Sequence, residues 1–121
     1  MSRTLLLLRP QPGNDDSAER ARALGMEVAQ LPLFEIVPVP ADSVPEGPFD
    51  ALLVTSANGA RFGSEALARF AGLPVFAVGK ATAQAIRALG PYQVETGGGT
   101  AATTMPAIVA AGHRRLLHIC G

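Results

Sequence analysis

Asp50-Ala51-Leu52-Leu53-Val54-Thr55-Ser56-Ala57-Asn58-Gly59-Ala60-Arg61 decides the fold. Its apolar run, Ala51 to Val54, breaks into small polar residues and then becomes helix-like. That is the profile of a buried strand whose carboxyl end opens directly onto a helix N-terminus. In open α/β sheets this edge is where ligands bind. Backbone N–H groups left unpaired at a helix start favour anions. Thr55, Ser56 and Asn58 add short hydrogen-bonding side chains, and Gly59 lets the backbone approach a ligand closely. Two readings stand at this point: Ser56 or Asn58 caps a helix and nothing more, or the turn is a binding site.

Outward from this stretch, strands and helical segments alternate. On the N-terminal side, Thr4-Leu5-Leu6-Leu7-Leu8 does not alternate and is too short for a helix, which predicts a fully buried strand. Arg9-Pro10-Gln11-Pro12-Gly13 is a loop, because two prolines continue neither structure. Asp16 and Glu19 have capping-box spacing and predict a helix over about residues 17–24, ended by Gly25 in the left-handed cap position. Arg9, a cation just past a strand and beside a helix start, reads either as a solvated loop charge or as an anion ligand. Glu27-Val28-Ala29 suits a short strand. The alternating prolines of residues 32–40 suit an edge or exposed ribbon, and residues 41–49 a linker.

On the C-terminal side, Phe62, Ala66 and Phe70 mark the core face of the helix after Asn58. Residues 73–78 form the next strand, and Gly79-Lys80-Ala81-Thr82 turns it into a helix ended by Gly90 and Pro91. Gly79-Lys80 is not a phosphate loop. That motif needs glycine five residues before the Gly-Lys pair and a hydroxyl directly after lysine, and Pro74 and Ala81 stand there. Gln93-Val94-Glu95 is a short strand, and Gly97-Gly98-Gly99-Thr100 a third loop entering a helix. Pro106 fits a helix capped by Thr103 or Thr104 better than one begun at Thr100. His113 precedes the last strand and His118 lies within it; neither has an acidic or thiol partner at ligand spacing, so no metal site is expected.

The pattern predicts an α/β protein, a parallel sheet with helices on both faces and a flavodoxin-like outline. The loops after Val54, Val78 and Glu95 would share one sheet edge and suit a large polyanionic ligand. No histidine sits in these loops, so no nucleophile–base pair is expected there. The site reads as a binder and orienter.

At 121 residues the chain has room for one ordinary domain. Hydrophobic residues make up 48% of the 121 residues and charged residues 17%, which excludes disorder. Ten basic and ten acidic side chains cancel, so no basic stripe argues for nucleic acid. Cys120 is alone, which excludes an internal disulfide and reads as a buried thiol. The apolar run at residues 5–8 is too short for a bilayer and lacks a signal-peptide cleavage site, so a cytoplasmic protein without membrane contact is expected. The last strand stops just where it would deliver its end residues, which gives the expectation of a truncated chain.

Several motifs occur in a telling order. Leu8-Arg9-Pro10, Leu31-Pro32-Leu33-Phe34-Glu35-Ile36, Thr55-Ser56-Ala57-Asn58, Val78-Gly79-Lys80-Ala81-Thr82, Gly98-Gly99-Thr100-Ala101 and His118-Ile119-Cys120-Gly121 together resemble uroporphyrinogen-III synthases. The resemblance covers almost the whole chain. It implies an enzyme that closes linear hydroxymethylbilane into uroporphyrinogen III, losing the ring A hydroxyl as water and inverting ring D through a spiro intermediate. It implies no metal or organic cofactor. It also implies two α/β domains, one split between both chain ends, with substrate in a cleft between them. Residues 1–33 would then be the opening piece of the split domain, 34–40 a connector strand, and 41–121 most of the second domain. By the same likeness, Arg9, Thr55, Ser56, Ala57, Asn58, Gly79, Lys80 and Thr82 would bind the substrate, an eight-carboxylate small molecule. The tyrosine usually proposed to assist hydroxyl loss would follow Gly121. The expectation is therefore that this fragment is inactive, and that it dimerises or swaps where the full-length protein is a monomer. Two rival classes remain: a non-catalytic module binding an anionic ligand, and a structural or interaction domain whose glycine loops only cap helices.

Overall fold

The computed structural model describes residues 3–120. They form two compact units, divided between Val37 and Pro38, and six parallel strands in two separate sheets rather than one.

The smaller unit is a βαβ piece: β1 (Thr4–Leu7), α1 (Gly13–Ala23) and β2 (Glu27–Gln30). β1 and β2 run parallel, with Thr4 opposite Glu27 and Leu7 opposite Gln30. Ala18 and Ala21 bury the inner face of α1. The expectation of a fully buried first strand fails. Leu6 is 53% and Leu8 40% exposed, because β1 is covered by α1 on one face only and has one strand beside it.

The start of α1 also differs from expectation. The helix begins at Gly13 with Pro12 as its cap, and the Asp16–Glu19 capping box does not form. Asn14 is the reason. Its side chain is fully buried. It donates to Leu7 O (3.0 Å) and Arg9 O (2.8 Å) and accepts from Gln30 Nε2 (2.8 Å). This amide ties the end of β1, the following loop and β2 together, so the first turn is anchored before the chain reaches Asp16. The other end follows expectation: Gly25, at φ 82°, closes a Schellman motif with Met26 N donating to Ala21 O (3.1 Å). After β2 the chain stays beside β1 as far as Leu33, whose N–H donates to Leu8 O (3.1 Å). Among the described residues, 34–40 join no ladder, and Phe34, Val37 and Val39 are exposed.

The larger unit opens with a 3-10 turn at Ala41–Ser43. Then follow β3 (Ala51–Val54), α2 (Ala57–Phe62), α3 (Ser64–Arg69), β4 (Val75–Ala77), α4 (Lys80–Arg87), β5 (Val94–Thr96), α5 (Ala101–Ala110) and β6 (Leu116–Ile119). The all-parallel sheet has the order β5-β4-β3-β6. β3 is central and wholly buried because strands flank it and helices cover both faces. Leu52, Val54, Val75 and Ala77 pack with Ala60, Leu67, Ala83 and Ile86 on the α2–α4 face. Leu53, Phe76 and Val78 pack with Ile108 of α5 on the other. At the amino edge, Asp50 Oδ2 accepts from the backbone N–H groups of Arg114 (2.8 Å) and Arg115 (2.9 Å), fixing the entry of β6 beside β3. These bonds hold the Asp50 carboxyl below its ordinary pKa.

Two helices correct the sequence reading. The single helix expected after Asn58 is broken at Gly63 into α2 and α3. A Cβ at Gly63 would lie 2.5 Å from Gly59 O and 2.7 Å from Ile119 Cγ2, so the chain presses so closely on β6 that only glycine fits. α5 starts directly after Thr100, not after Thr103 or Thr104, and contains Pro106. Thr100 and Thr103 form a reciprocal capping box, and Thr104 Oγ1 donates to Thr100 O (2.7 Å). Several bonds at the cap offset the single N–H that Pro106 cannot supply.

Candidate functional site

At the carboxyl edge of the larger unit, β3, β4 and β5 each turn into a helix. Thr55 leaves β3 with its N–H donating to Ile119 O (3.3 Å), so the β3–β6 pairing extends to the edge. Ser56 caps α2, its Oγ accepting from Gly59 N (2.8 Å). Asn58 Oδ1 accepts from Arg61 Nη1 (3.2 Å). Capping is therefore a real role of Ser56, and Thr55, Ser56, Ala57 and Asn58 are all half-buried rather than free-standing. What a short α2 leaves unpaired is its leading N–H groups, at Ala57 and Asn58.

The second turn lies alongside the first, Val78 N donating to Val54 O (3.2 Å). Gly79 caps α4 without a side-chain bond, and Lys80 in its first turn is exposed. Thr82 is buried, 5% exposed, on the inner side of that turn. Most of its side chain is thus part of the packing, and the leading amides of α4 have no intrahelical partner. The third turn abuts the second: a Cβ built on Gly79 would meet Gly99 Cα at 3.8 Å. Gly97 N donates to Ala77 O (2.7 Å) and Gly99 N to Val78 O (2.6 Å). Gly99, at φ 113°, makes the left-handed turn that aims this loop back along the edge. Gly97 lies so close to Thr104 that a side chain there would overlap it.

Arg9 belongs to the smaller unit. Its guanidinium lies over Gly13, and Nη1 donates to Ser17 Oγ (3.0 Å). The loop cation thus has a local role along α1 while remaining exposed.

One group at the edge was not expected from sequence. β6 adds a fourth strand end next to β3, with Leu53 opposite His118 in register. His118 Nε2 is 2.9 Å from Thr55 Oγ1. None of the three loops holds a histidine; the His118 imidazole reaches the edge from a neighbouring strand. Only the strand order reveals this. Cys120, expected to be buried, is exposed past the end of β6. Among the described residues, no group of three or more His, Cys, Asp or Glu side chains comes together as metal ligands would.

The strand order also marks where this edge is most receptive. The connections leave β3 toward β4 on one side, and β6 arrives on the other, so the order reverses between β3 and β6. Crevices at such reversals are the ligand sites of open α/β sheets. A model of the family described as uroporphyrinogen-III synthase HemD matches residues 15–121, spanning all of the larger unit and most of α1 and β2. The chain belongs to the uroporphyrinogen-III synthase family. This is a family of lyase-type enzymes of tetrapyrrole biosynthesis, and a small-molecule tetrapyrrole is its substrate class. The expected α/β architecture of parallel strands flanked by helices is the one observed. Arg9 lies outside the matched residues. No curated protein matches the chain. No helix among the described residues is long and apolar enough to cross a membrane.

Proposed function

We propose that the larger unit binds hydroxymethylbilane along its carboxyl edge and holds it for closure to uroporphyrinogen III, with loss of water and inversion of ring D. The observation that carries this reading is the abutment of three strand-to-helix turns on one edge, each ending in amides without an intrahelical partner. A substrate studded with acetate and propionate groups matches such a row of donors. Ala57 and Asn58 in the first turn, and Gly79, Lys80 and Ala81 in the second, would supply most of the contacts through backbone N–H, with the Lys80 ammonium adding charge. Thr55, Ser56 and Thr82 would shape the turns as much as touch the ligand. Catalysis by such a surface is chiefly orientation, which supplies roughly 7–11 kcal/mol when reacting carbons are held close.

The protein as isolated from its cell, given hydroxymethylbilane, is expected to release the isomer with ring D inverted. Closure without inversion gives the other isomer, and finding only that one would contradict the proposal. The 121-residue chain alone is proposed to bind without turning over, since its smaller unit offers a two-stranded sheet with Leu6 and Leu8 uncovered. The rival reading, in which the turns only cap helices, draws on the intramolecular partners of Ser56 and Asn58. It predicts no binding of any tetrapyrrole polycarboxylate.

A further inference from the structure

We infer that His118 is a positioning residue of the substrate site, orienting the Thr55 hydroxyl as a hydrogen-bond donor toward a substrate carboxylate in the crevice between β3 and β6. The inference rests on the proposed binding at this edge and names the group that makes the crevice selective.

The geometry starts from the register. His118 stands opposite Leu53, and Thr55 follows Leu53 by two residues, so both side chains lie on the same face of the sheet. Their polar atoms are 2.9 Å apart. His118 is exposed and Thr55 half-buried, so the pair lies open to a ligand and does not serve as a core bond. It also lies where the strand order reverses, while the other two turns lie on the far side of β3.

A hydroxyl carries one proton and two lone pairs, and an imidazole nitrogen is either donor or acceptor. With Nε2 protonated, the ring donates to Thr55 Oγ1, and the Thr55 proton is free to point outward. With Nε2 unprotonated, the hydroxyl spends its proton on the ring and offers an incoming carboxylate only lone pairs. A carboxylate at the crevice therefore selects the first arrangement, in which His118 donates to Thr55 and Thr55 donates to the ligand. The chain of donors polarises in one direction. Thr55 alone, free to rotate, would have to be ordered by the ligand itself. His118 narrows that freedom to two arrangements, of which the ligand selects one.

The test uses the 121-residue chain and uroporphyrin III, the oxidised octacarboxylate product, as the probe in a fluorescence titration. His118→Phe is expected to weaken binding about tenfold, and Thr55→Val to a similar degree. The double variant is expected to be no weaker than either single one, because each breaks the same chain of donors. His118→Gln, whose amide N–H₂ reaches the place of Nε2, is expected to restore most of the affinity. A merely structural histidine would not show that coupling or that rescue. Wild-type affinity in His118→Phe, additive losses in the double variant, or a His118→Gln chain as weak as His118→Phe would each overturn the inference while leaving the proposed function standing. A wild-type chain that does not bind uroporphyrin III at all overturns both.

Discussion

At the scale of single residues, two polar side chains do most to fix how strands meet. Asn14 spends both amide protons on Leu7 O and Arg9 O and its oxygen on Gln30. Asn14→Leu would leave two carbonyls and an amide without their buried partner. The smaller unit should lose about 1–3 kcal/mol, read as faster hydrogen exchange at the amides of β2, with the amides of β3 unchanged. Asp50 plays the matching part at the amino edge of the larger sheet. Its folded-state pKa is depressed, first by the N–H of Arg114 and then by that of Arg115. The folded chain therefore binds fewer protons than the unfolded one at this carboxyl. Its contribution is complete above the unfolded value and is lost as pH falls through the folded one. In urea titrations below about pH 4, the wild-type chain should lose stability more steeply with falling pH than Asp50→Asn. Parallel curves would contradict this role. None of these contacts is legible in sequence. Asn14 reads as an ordinary polar residue before a helix, and His118 as an ordinary strand residue, because what each touches is set by chain segments far away.

At the scale of elements, the sequence is most readable where a local rule acts alone and least where a neighbour intrudes. The strand at Ala51–Val54 and the Gly25 stop of α1 follow local rules and stand where expected. The helix after Asn58 has an unbroken core pattern, yet it breaks at Gly63 because the end of β6 arrives against it. Gly63→Ala should cost about 1–3 kcal/mol by overpacking, visible as a lower thermal midpoint, whereas Gly72→Ala, with open space at its Cβ, should not. α5 gives the opposite lesson. Pro106 points to a later start, but the paired hydroxyls of Thr100 and Thr103 outweigh it. Thr100→Ala should cost about 0.5–2 kcal/mol, and the loss should appear as fraying of the first turn of α5 in amide exchange. Since that turn borders the proposed site, the same change should weaken ligand binding by severalfold.

At the scale of the whole molecule, the α/β alternation and the shared edge of the loops after Val54, Val78 and Glu95 are both legible, because each strand ends abruptly in small polar residues that open a helix. Strand order is not legible. A β5-β4-β3-β6 arrangement puts the last strand beside the first of its sheet, and it alone brings Thr55 and His118 together. Backbone donors, more than any one side chain, give the edge its proposed function. The most direct measurement is a titration of uroporphyrin III into the isotopically labelled chain, followed by amide chemical shifts. The largest shifts are expected at Ala57, Asn58, Lys80, Ala81 and Gly98, saturating together with one affinity. Binding that leaves these amides still and moves others, or no shifts at saturating probe, would contradict substrate binding along this edge.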